Sequence, residues 1–389
     1  MHRLVLFSAL CAVISWKPPA ASGGDVTVRF VGGRWLQTVT GTENVPAAAR
    51  LRVNAHGPVT VNSDPSASNS ISYSVEVSLK ARSEADARRA LRGYSLDVSQ
   101  RGGWVIISVP RGTGIPSMTL QLPRSLREAV ITTSDGAVNV SVANCPLRVD
   151  SGAGLIKVGR AAGDCKLVTG GGEIQVGSVG GILSAITGGG PITVKAVRGE
   201  AMLETAGGDI TADEVAGIVR ASTSGGAVRI GKAGGSVVAT TGGGPIVVNR
   251  AGGLVTARNA AGPVQVGAAA GVSCETGTGA IRLDNISGAM RASTAMGSIM
   301  AYLMAGKLAE SFLTTGNGDI TIVIPSNLGV TIRAENEMSD TIRRIVSEFP
   351  GIPVRVQGTQ VVAEGAINGG GPLLRISGTG GTIFIKRQQ

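Results

Sequence analysis

From Thr132 onward, apolar and polar positions recur in a fixed order. The segments GGGEIQVGSVGGILSAIT, GGGPITVKAVRGEAMLETA, AGGDITADEVAGIVRASTS and GGGPIVVNRAGGLVTARNA are variants of one phrase. Aligned on the glycine before the first apolar pair, the anchors are Gly136, Gly154, Gly172, Gly190, Gly208, Gly226, Gly244 and Gly262 at steps of 18, then Gly279 and Gly297 at steps of 17 and 18. A second series, Gly163, Gly181, Gly199, Gly217, Gly235, Gly253 and Gly271, lies nine residues after its anchors and divides each period into halves. Apolar or small residues stand two and four positions after the anchor, as in Ile174 and Val176, Ile192 and Val194, or Ile246 and Val248. They return at eleven, thirteen and fifteen, as in Leu183, Ala185 and Thr187, or Val219, Ala221 and Thr223, with a small apolar residue at position seven.

Alternation with a period of two predicts short strands with one face turned inward. A helix is excluded, because the period from Gly172 contains six glycines, each costing about 1 kcal/mol relative to Ala in a helix interior. A left-handed helix of hexapeptides needs large aliphatics six residues apart, but Gly180, Arg198 and Gly252 stand six beyond Ile174, Ile192 and Ile246. What remains is an all-β fold, a single-stranded parallel β-solenoid with 18-residue coils and two strands per coil. Its rungs would stack at ~4.8 Å. Glycine is expected at the corners to supply left-handed backbone.

One coil cannot bury enough surface to fold alone, so the array needs end caps. The flanks change character accordingly. Residues 1–22 have a basic residue, an apolar run from Leu4 to Trp16 and a small-residue end at Ala20-Ala21-Ser22, the layout of a signal peptide. Residues 23–131 form a β-rich capping region with strand patterns at Leu51–Val61, Ile71–Leu79 and Trp104–Val109, and a short helix near 83–92 that Ser83 would cap. The solenoid occupies 132–335, and 336–389 holds C-terminal coils and a cap.

Composition narrows the picture. Gly makes up 59 of 389 residues and aromatics only 3%, so no aromatic-rich core is available; no Phe, Trp or Tyr occurs between Thr132 and Ala301. The chain is too apolar for disorder and lacks the strict triplet of collagen. Without Arg3 and Lys17, 34 basic residues face 26 acidic ones, a scattered surplus of +8. After the signal, Cys145, Cys165 and Cys274 remain, an odd number that fits buried free thiols better than a disulfide scaffold. No later stretch is long and apolar enough to span a bilayer as a helix.

The order of parts, from LRVNAHGPVTV through a helix and many GG-x-[IV]-x-V coils to SEFPG and a closing INGGGPLLRISGTGGTIFIK, resembles the bacterial adhesin family of β-strand repeat proteins, also described as toastrack-type domains. The closing segment is the most specific part. The resemblance implies an exported or envelope location and little chemistry; some related domains occur in envelope-stress systems.

Direct tests for chemistry give little. Gly226-Ala-Val-Arg-Ile-Gly-Lys-Ala233 approaches a phosphate loop, but Ala233 replaces the magnesium-binding Ser or Thr and no helix follows. A calcium roll requires repeated Asp where this chain has Val, Ile, Thr or Gly. His56, alone after the signal, would have to serve any Ser-His-Asp triad. Neither His-based zinc sites nor CxxC pairs are present. Glu173 and Asp209 share a ladder position two coils apart, hence roughly 10 Å, near the spacing for inverting hydrolysis, but nothing in the sequence supplies a desolvating wall. Basic residues recur at position twelve (Arg148, Lys166, Arg220, Arg291) and position three (Lys157, Arg229, Arg282), interrupted by Ser184, Met202 and Thr193. Ile182, Ile218 and Leu254 recur at position ten, outward by alternation, as a candidate partner-binding or end-packing stripe.

The function expected is that of a non-catalytic, adhesin-like envelope scaffold or binding protein, exported to the periplasm, the outer surface or the medium. No catalytic, cofactor or metal residues are assigned. The partner is a cell-envelope protein or an anionic surface polymer; nucleic acid is excluded by the lack of dense basic runs and stacking aromatics in the coil body. The alternatives are a polysaccharide-active β-helix enzyme, lyase or glycoside hydrolase, and an envelope-stress sensing module.

Overall fold

The computed structural model describes residues 25–388 apart from 47, 64–68, 92–95, 113, 307 and 338–343; the expected signal peptide lies outside the described residues. The N-terminal part consists of β1 (Asp25–Val31), β2 (Arg34–Asn44), β3 (Arg50–Ala55), β4 (Val59–Ser63), β5 (Ser70–Leu79), α1 (Glu84–Leu91), β6 (Asp97–Arg101), β7 (Trp104–Ser108) and β8 (Ile115–Leu122). From β9 (Glu128–Thr133) and β10 (Val138–Ala143) to β29 (Ser311–Asn317) and β30 (Ile320–Ile324), strands alternate between two sheets. The chain closes with β31 (Val330–Glu337), β32 (Ile345–Ser347), β33 (Val354–Gln357), β34 (Gln360–Ile367), β35 (Leu373–Gly380) and β36 (Ile383–Arg387).

The repeat is the register. Ile174 lies beside Ile192, Val176 beside Val194, Leu183 beside Ala201 and Thr187 beside Thr205, all in parallel pairing. Odd strands from β9 to β29 build one sheet and even strands from β10 to β30 the other. Positions two, four and seven after each anchor are buried from the second sheet, and positions eleven and thirteen from the first, as Ile174, Val176, Val179, Leu183 and Ala185 show. This is the parallel β-solenoid expected from the spacing.

Two rungs are out of chain order. The β3–β4 rung lies between the β7–β8 rung and the β9–β10 rung. At the other end the last rung, β35–β36, is inserted between β29–β30 and β31–β32. The segment Leu51–Val61 is thus a full rung turning at His56-Gly57-Pro58 rather than one strand. Antiparallel strands finish each stack: β5, β2 and β1 beyond β8, β6 beyond β7, and β34 and β33 beyond β31. Reversing direction stops the parallel ladder from templating further rungs. The helix α1 buries Ala87 and Leu91, and Ser83 Oγ accepts the Asp86 amide at 3.2 Å, as expected of an N-cap.

Glycine does a different job from the one expected. The anchors from Gly154 to Gly297 are not left-handed; only the first, Gly136 (φ 105°), is. Instead, each anchor sits directly over the one below. A Cβ on Gly172 would run into the carbonyl of Gly154, one on Gly190 into that of Gly172, and one on Gly208 into that of Gly190. Close approach, rather than backbone handedness, demands glycine here.

The residue at position fifteen closes the same corner. Thr169 Oγ1 donates to the Gly154 carbonyl one coil below at 3.0 Å and accepts the Gly172 amide at 3.2 Å. Thr187, Thr205 and Thr223 repeat the bridge. Asn259 replaces the hydroxyl with an amide, Nδ2 donating to Gly244 O at 2.8 Å and Oδ1 accepting from Gly262 N at 2.9 Å. At the opposite corner no bridge is needed, because Gly199, Gly217, Gly235 and Gly253 donate directly to the glycine carbonyl of the coil below.

Position one follows a related rule. Asp209 Oδ1 accepts the Ala227 amide of the next coil at 2.8 Å, and Asp319 Oδ1 accepts that of Thr382 at 2.8 Å. Where the next coil carries Pro191, Pro245 or Pro263, there is no N–H to satisfy.

Two stability predictions follow from the corner. Gly208→Ala should destabilise the fold by at least about 1–3 kcal/mol through overpacking, whereas Gly189→Ala, whose Cβ would meet nothing within 4 Å, should stay within about 0.5 kcal/mol of the parent. Thr205→Val should cost about 2 kcal/mol, leaving a buried carbonyl and amide unpaired, and Thr205→Ser should recover most of it. Urea unfolding midpoints at constant slope measure all four.

Candidate functional site

The outward faces must carry any function, since the interior is filled. The triad candidate is not assembled: His56 Nδ1 is 3.0 Å from Ser134 Oγ and 3.5 Å from Arg111 Nε. Serine and guanidinium therefore share one ring nitrogen, and among the described residues no carboxylate orients the other. The phosphate-loop look-alike runs into the strand Val228–Ala233, with no helix after it. Among the described residues, no three His, Cys, Asp or Glu side chains come together as metal ligands.

The two carboxylates considered for hydrolysis are held ionised or engaged. Glu173 Oε1 accepts from Gln175 Nε2 at 2.8 Å. Asp209 takes the Ala227 amide and an Arg229 guanidinium at 3.1 Å, and these hold its carboxyl below the usual carboxylate range. A general acid needs the opposite shift.

Cys145, Cys165 and Cys274 are free and buried. Burial pushes the Cys145 thiol up to about 11, with the Glu128 charge adding to it, and the Cys165 and Cys274 thiols up to about 12. Such thiols are inert as nucleophiles at neutral pH.

Most of the basic points expected at positions three and twelve are neutralised within the array. Arg148 pairs with Asp150 at 2.8 Å, Arg220 with Glu200 at 3.5 Å, Arg229 with Asp209 at 3.1 Å and Arg282 with Asp284 at 3.0 Å. Exposed pairs of this kind contribute about 0–1 kcal/mol to stability, but they cancel the field that would attract a polyanion.

The cationic cluster that stands out is at the C-terminal end of the odd-strand sheet, and the sequence reading found only Arg291 of it. Four successive rungs place Arg291, Phe312, Arg375 and Arg333 side by side at position twelve. The Arg291 and Arg375 guanidiniums lie 5.2 Å and 5.8 Å from the Phe312 ring centre. Arg333 is held by Glu335 at 2.7 Å. Phe312, Arg375 and Arg333, with Glu335, Thr314 and Ser377, border a depression of about 350 Å³. Chain order hides this cluster, because the Arg375 rung is inserted beside Phe312 from 63 residues away. The one available signal was the return of aromatic residues after Ala301. A related arrangement marks the other end of the sheet, where Arg50 and Arg52 lie 5.3 Å and 4.8 Å from the Trp104 ring centre.

A second depression of about 540 Å³ lies on the same sheet near Thr240, Arg258, Glu275 and Ser293, with Glu275 its single carboxylate. Position ten is outward, as alternation requires: Ile182 is 52% and Leu254 48% exposed, and Ile218 is half-buried. These three stand two rungs apart, with Glu200 and Ser236 between them at the same position, so by themselves they form no stripe.

The chain matches no family model and no curated protein. Similar solved structures include a "putative adhesin" of Bacteroides fragilis, 13% identical, covering 72% of this chain and 96% of that one at a TM-score of 0.27. Another protein named in the same way, from Parabacteroides distasonis, is 10% identical and covers 70% and 96% at 0.29. A "putative cell adhesion protein" of Clostridium sporogenes is 10% identical and covers 90% and 100% at 0.17. No helix among the described residues is long and apolar enough to cross a membrane.

Two chemical predictions follow. The stability contributed by Asp209 is present above the ordinary carboxylate pKa and is lost as pH falls through its depressed value. Asp209→Asn should therefore be less stable than the parent near neutrality and converge with it on strong acidification, measured by denaturation at several pH values. In the folded protein Cys165 and Cys274 should resist maleimide at mildly alkaline pH and react on unfolding; prompt labelling by mass spectrometry would contradict their placement.

Proposed function

We propose that the chain is an exported, non-catalytic, adhesin-like β-solenoid that acts as a binding scaffold of the cell envelope, and that its ligand is an anionic surface polymer. The observation that carries this reading is the Arg291–Phe312–Arg375 ladder, whose two guanidiniums flank one aromatic ring. Guanidinium groups recognise carboxylate, sulfate and phosphate with two parallel hydrogen bonds. Stacking on Phe312 holds Arg291 and Arg375 in place before a ligand arrives, which lowers the entropic cost of binding. Rungs spaced at ~4.8 Å offer these groups as a row rather than a point, matching a polymer that carries a charge on each repeating sugar.

The carboxylates support binding rather than cleavage. Inverting or retaining hydrolysis uses a pair of acids, one with a raised pKa. Asp209 is shifted the wrong way, and Glu275 stands alone in its depression.

Retention on an immobilised polyuronate should exceed that on a neutral glucan and weaken as salt is raised. The double substitution Arg291→Ala and Arg375→Ala should lower affinity at least about tenfold, since hydrogen bonds to charged groups contribute about 1.5–3 kcal/mol each. Lys157→Ala on the opposite sheet should leave it unchanged. Equal retention on the neutral polymer, or release of reducing ends or unsaturated products, would contradict the proposal.

A further inference from the structure

The odd-strand sheet carries a continuous apolar stripe, assembled from two ladder positions. Ile182 stands at position ten of the Gly172 coil, Met202 at position twelve of the next, Ile218 at ten, Val238 at twelve and Leu254 at ten of the coils that follow. Every one of five successive rungs thus contributes one outward apolar side chain, alternating between neighbouring columns. Met202 is 44% and Val238 37% exposed, alongside 52% for Ile182 and 48% for Leu254. Met202 and Val238 fill the rungs that separate the position-ten residues.

The pattern is a palindrome about Ile218. A two-fold axis lying in the face and perpendicular to the solenoid sets each rung against its opposite number. It therefore places Ile182 against Leu254, Met202 against Val238, and Ile218 against itself. The charges fit the same operation. Arg220 falls opposite Arg220 of the second copy and Glu200 opposite Ser236; since each Arg220 is paired with its own Glu200 at 3.5 Å across adjacent rungs, the four groups sum to zero net charge. Glu204 falls opposite Thr240, and Arg258 opposite Ile186, so apart from the two Arg220 guanidiniums no like-charged groups face each other within the five rungs. Four rungs from the centre the operation would bring Arg148 opposite Arg291, which confines close contact to the apolar stretch. Packed sheets cross at about 30° and diverge away from the crossing, which has the same effect.

We propose that this face is an isologous interface through which two copies of the chain pair antiparallel, centred on Ile218. Five rungs by one strand length cover about 400 Å² per protomer, about 800 Å² in all, below the standard size for stable complexes. The pairing is accordingly a reversible, concentration-dependent dimer. It goes beyond the polymer-binding reading and does not depend on it, since the Phe312 cluster lies outside the stripe.

Sedimentation velocity across a series from low micromolar to submillimolar protein should show monomer giving way to dimer. Ile218→Glu, at the symmetry centre, should weaken dimerisation at least tenfold with no change in the unfolding midpoint, and Thr193→Glu on the opposite sheet should not. A short bis-maleimide should link Ile218→Cys to itself. It should link Ile182→Cys only to Leu254→Cys in a mixture of the two variants. A chain that stays monomeric throughout, leaving the stripe to another partner, overturns the proposal. So does self-linking of Ile182→Cys, the mark of parallel pairing.

Discussion

The close approach of successive coils at the anchor corner is the constraint on which the rest depends. Parallel rungs can stack at strand spacing only if the chain also turns at that spacing, and at the anchor the turn of one coil lies directly over the carbonyl of the coil below. A side chain does not fit there. The approach leaves an amide and a carbonyl that cannot meet, and the hydroxyl of position fifteen joins them. Glycine and threonine thus act as a pair: one permits the approach, and the other satisfies the backbone groups that it buries. Asn259 performs both halves of the bridge with one amide, so the requirement is for a donor and an acceptor in one short side chain rather than for threonine itself.

This constraint explains what was legible in the sequence. The 18-residue spacing gave the register, the two strands per coil and the inward positions, because each is repeated many times and any error would move a whole ladder to the wrong face. The role of glycine was misassigned. Composition shows that a corner needs glycine but does not distinguish left-handed backbone from steric exclusion, which depends on what lies one rung below. Position fifteen was read as inward, yet its bridging role was invisible, since Thr187 looks like any small β-former until Gly172 and Gly190 are placed around it. The inserted rungs were also hidden. Both LRVNAHGPVTV and the closing segment obey the coil grammar, but their places in the stack are set by long-range pairing across β5–β8 and β31–β34.

The same separation shapes the surface. Inward positions are fixed by packing, so variation is confined to outward columns, and there the chain arranges its charges unevenly. In the middle of the array Arg220, Arg229 and Lys232 are each met by an acid on a neighbouring rung. Toward the ends, aromatic rings replace the acids as neighbours of Arg52, Arg291 and Arg375. A ring stacks against a guanidinium without cancelling its charge. The centre is thereby near-neutral and apolar, and the ends are cationic. The Phe312 cluster was missed for the same reason as the inserted rungs: Arg375 and Arg333 join Arg291 and Phe312 only once β35 is threaded between β29 and β31.

Native-state hydrogen exchange tests the corner constraint most directly. The anchor amides of Gly172, Gly190, Gly208 and Gly226, bridged through threonine hydroxyls, should exchange as slowly as the core amides of Ile192 and Ile210, opening only with the whole solenoid. The neighbouring exposed glycines Gly171 and Gly225 should exchange freely. Anchor amides that exchange as fast as those two would contradict the account.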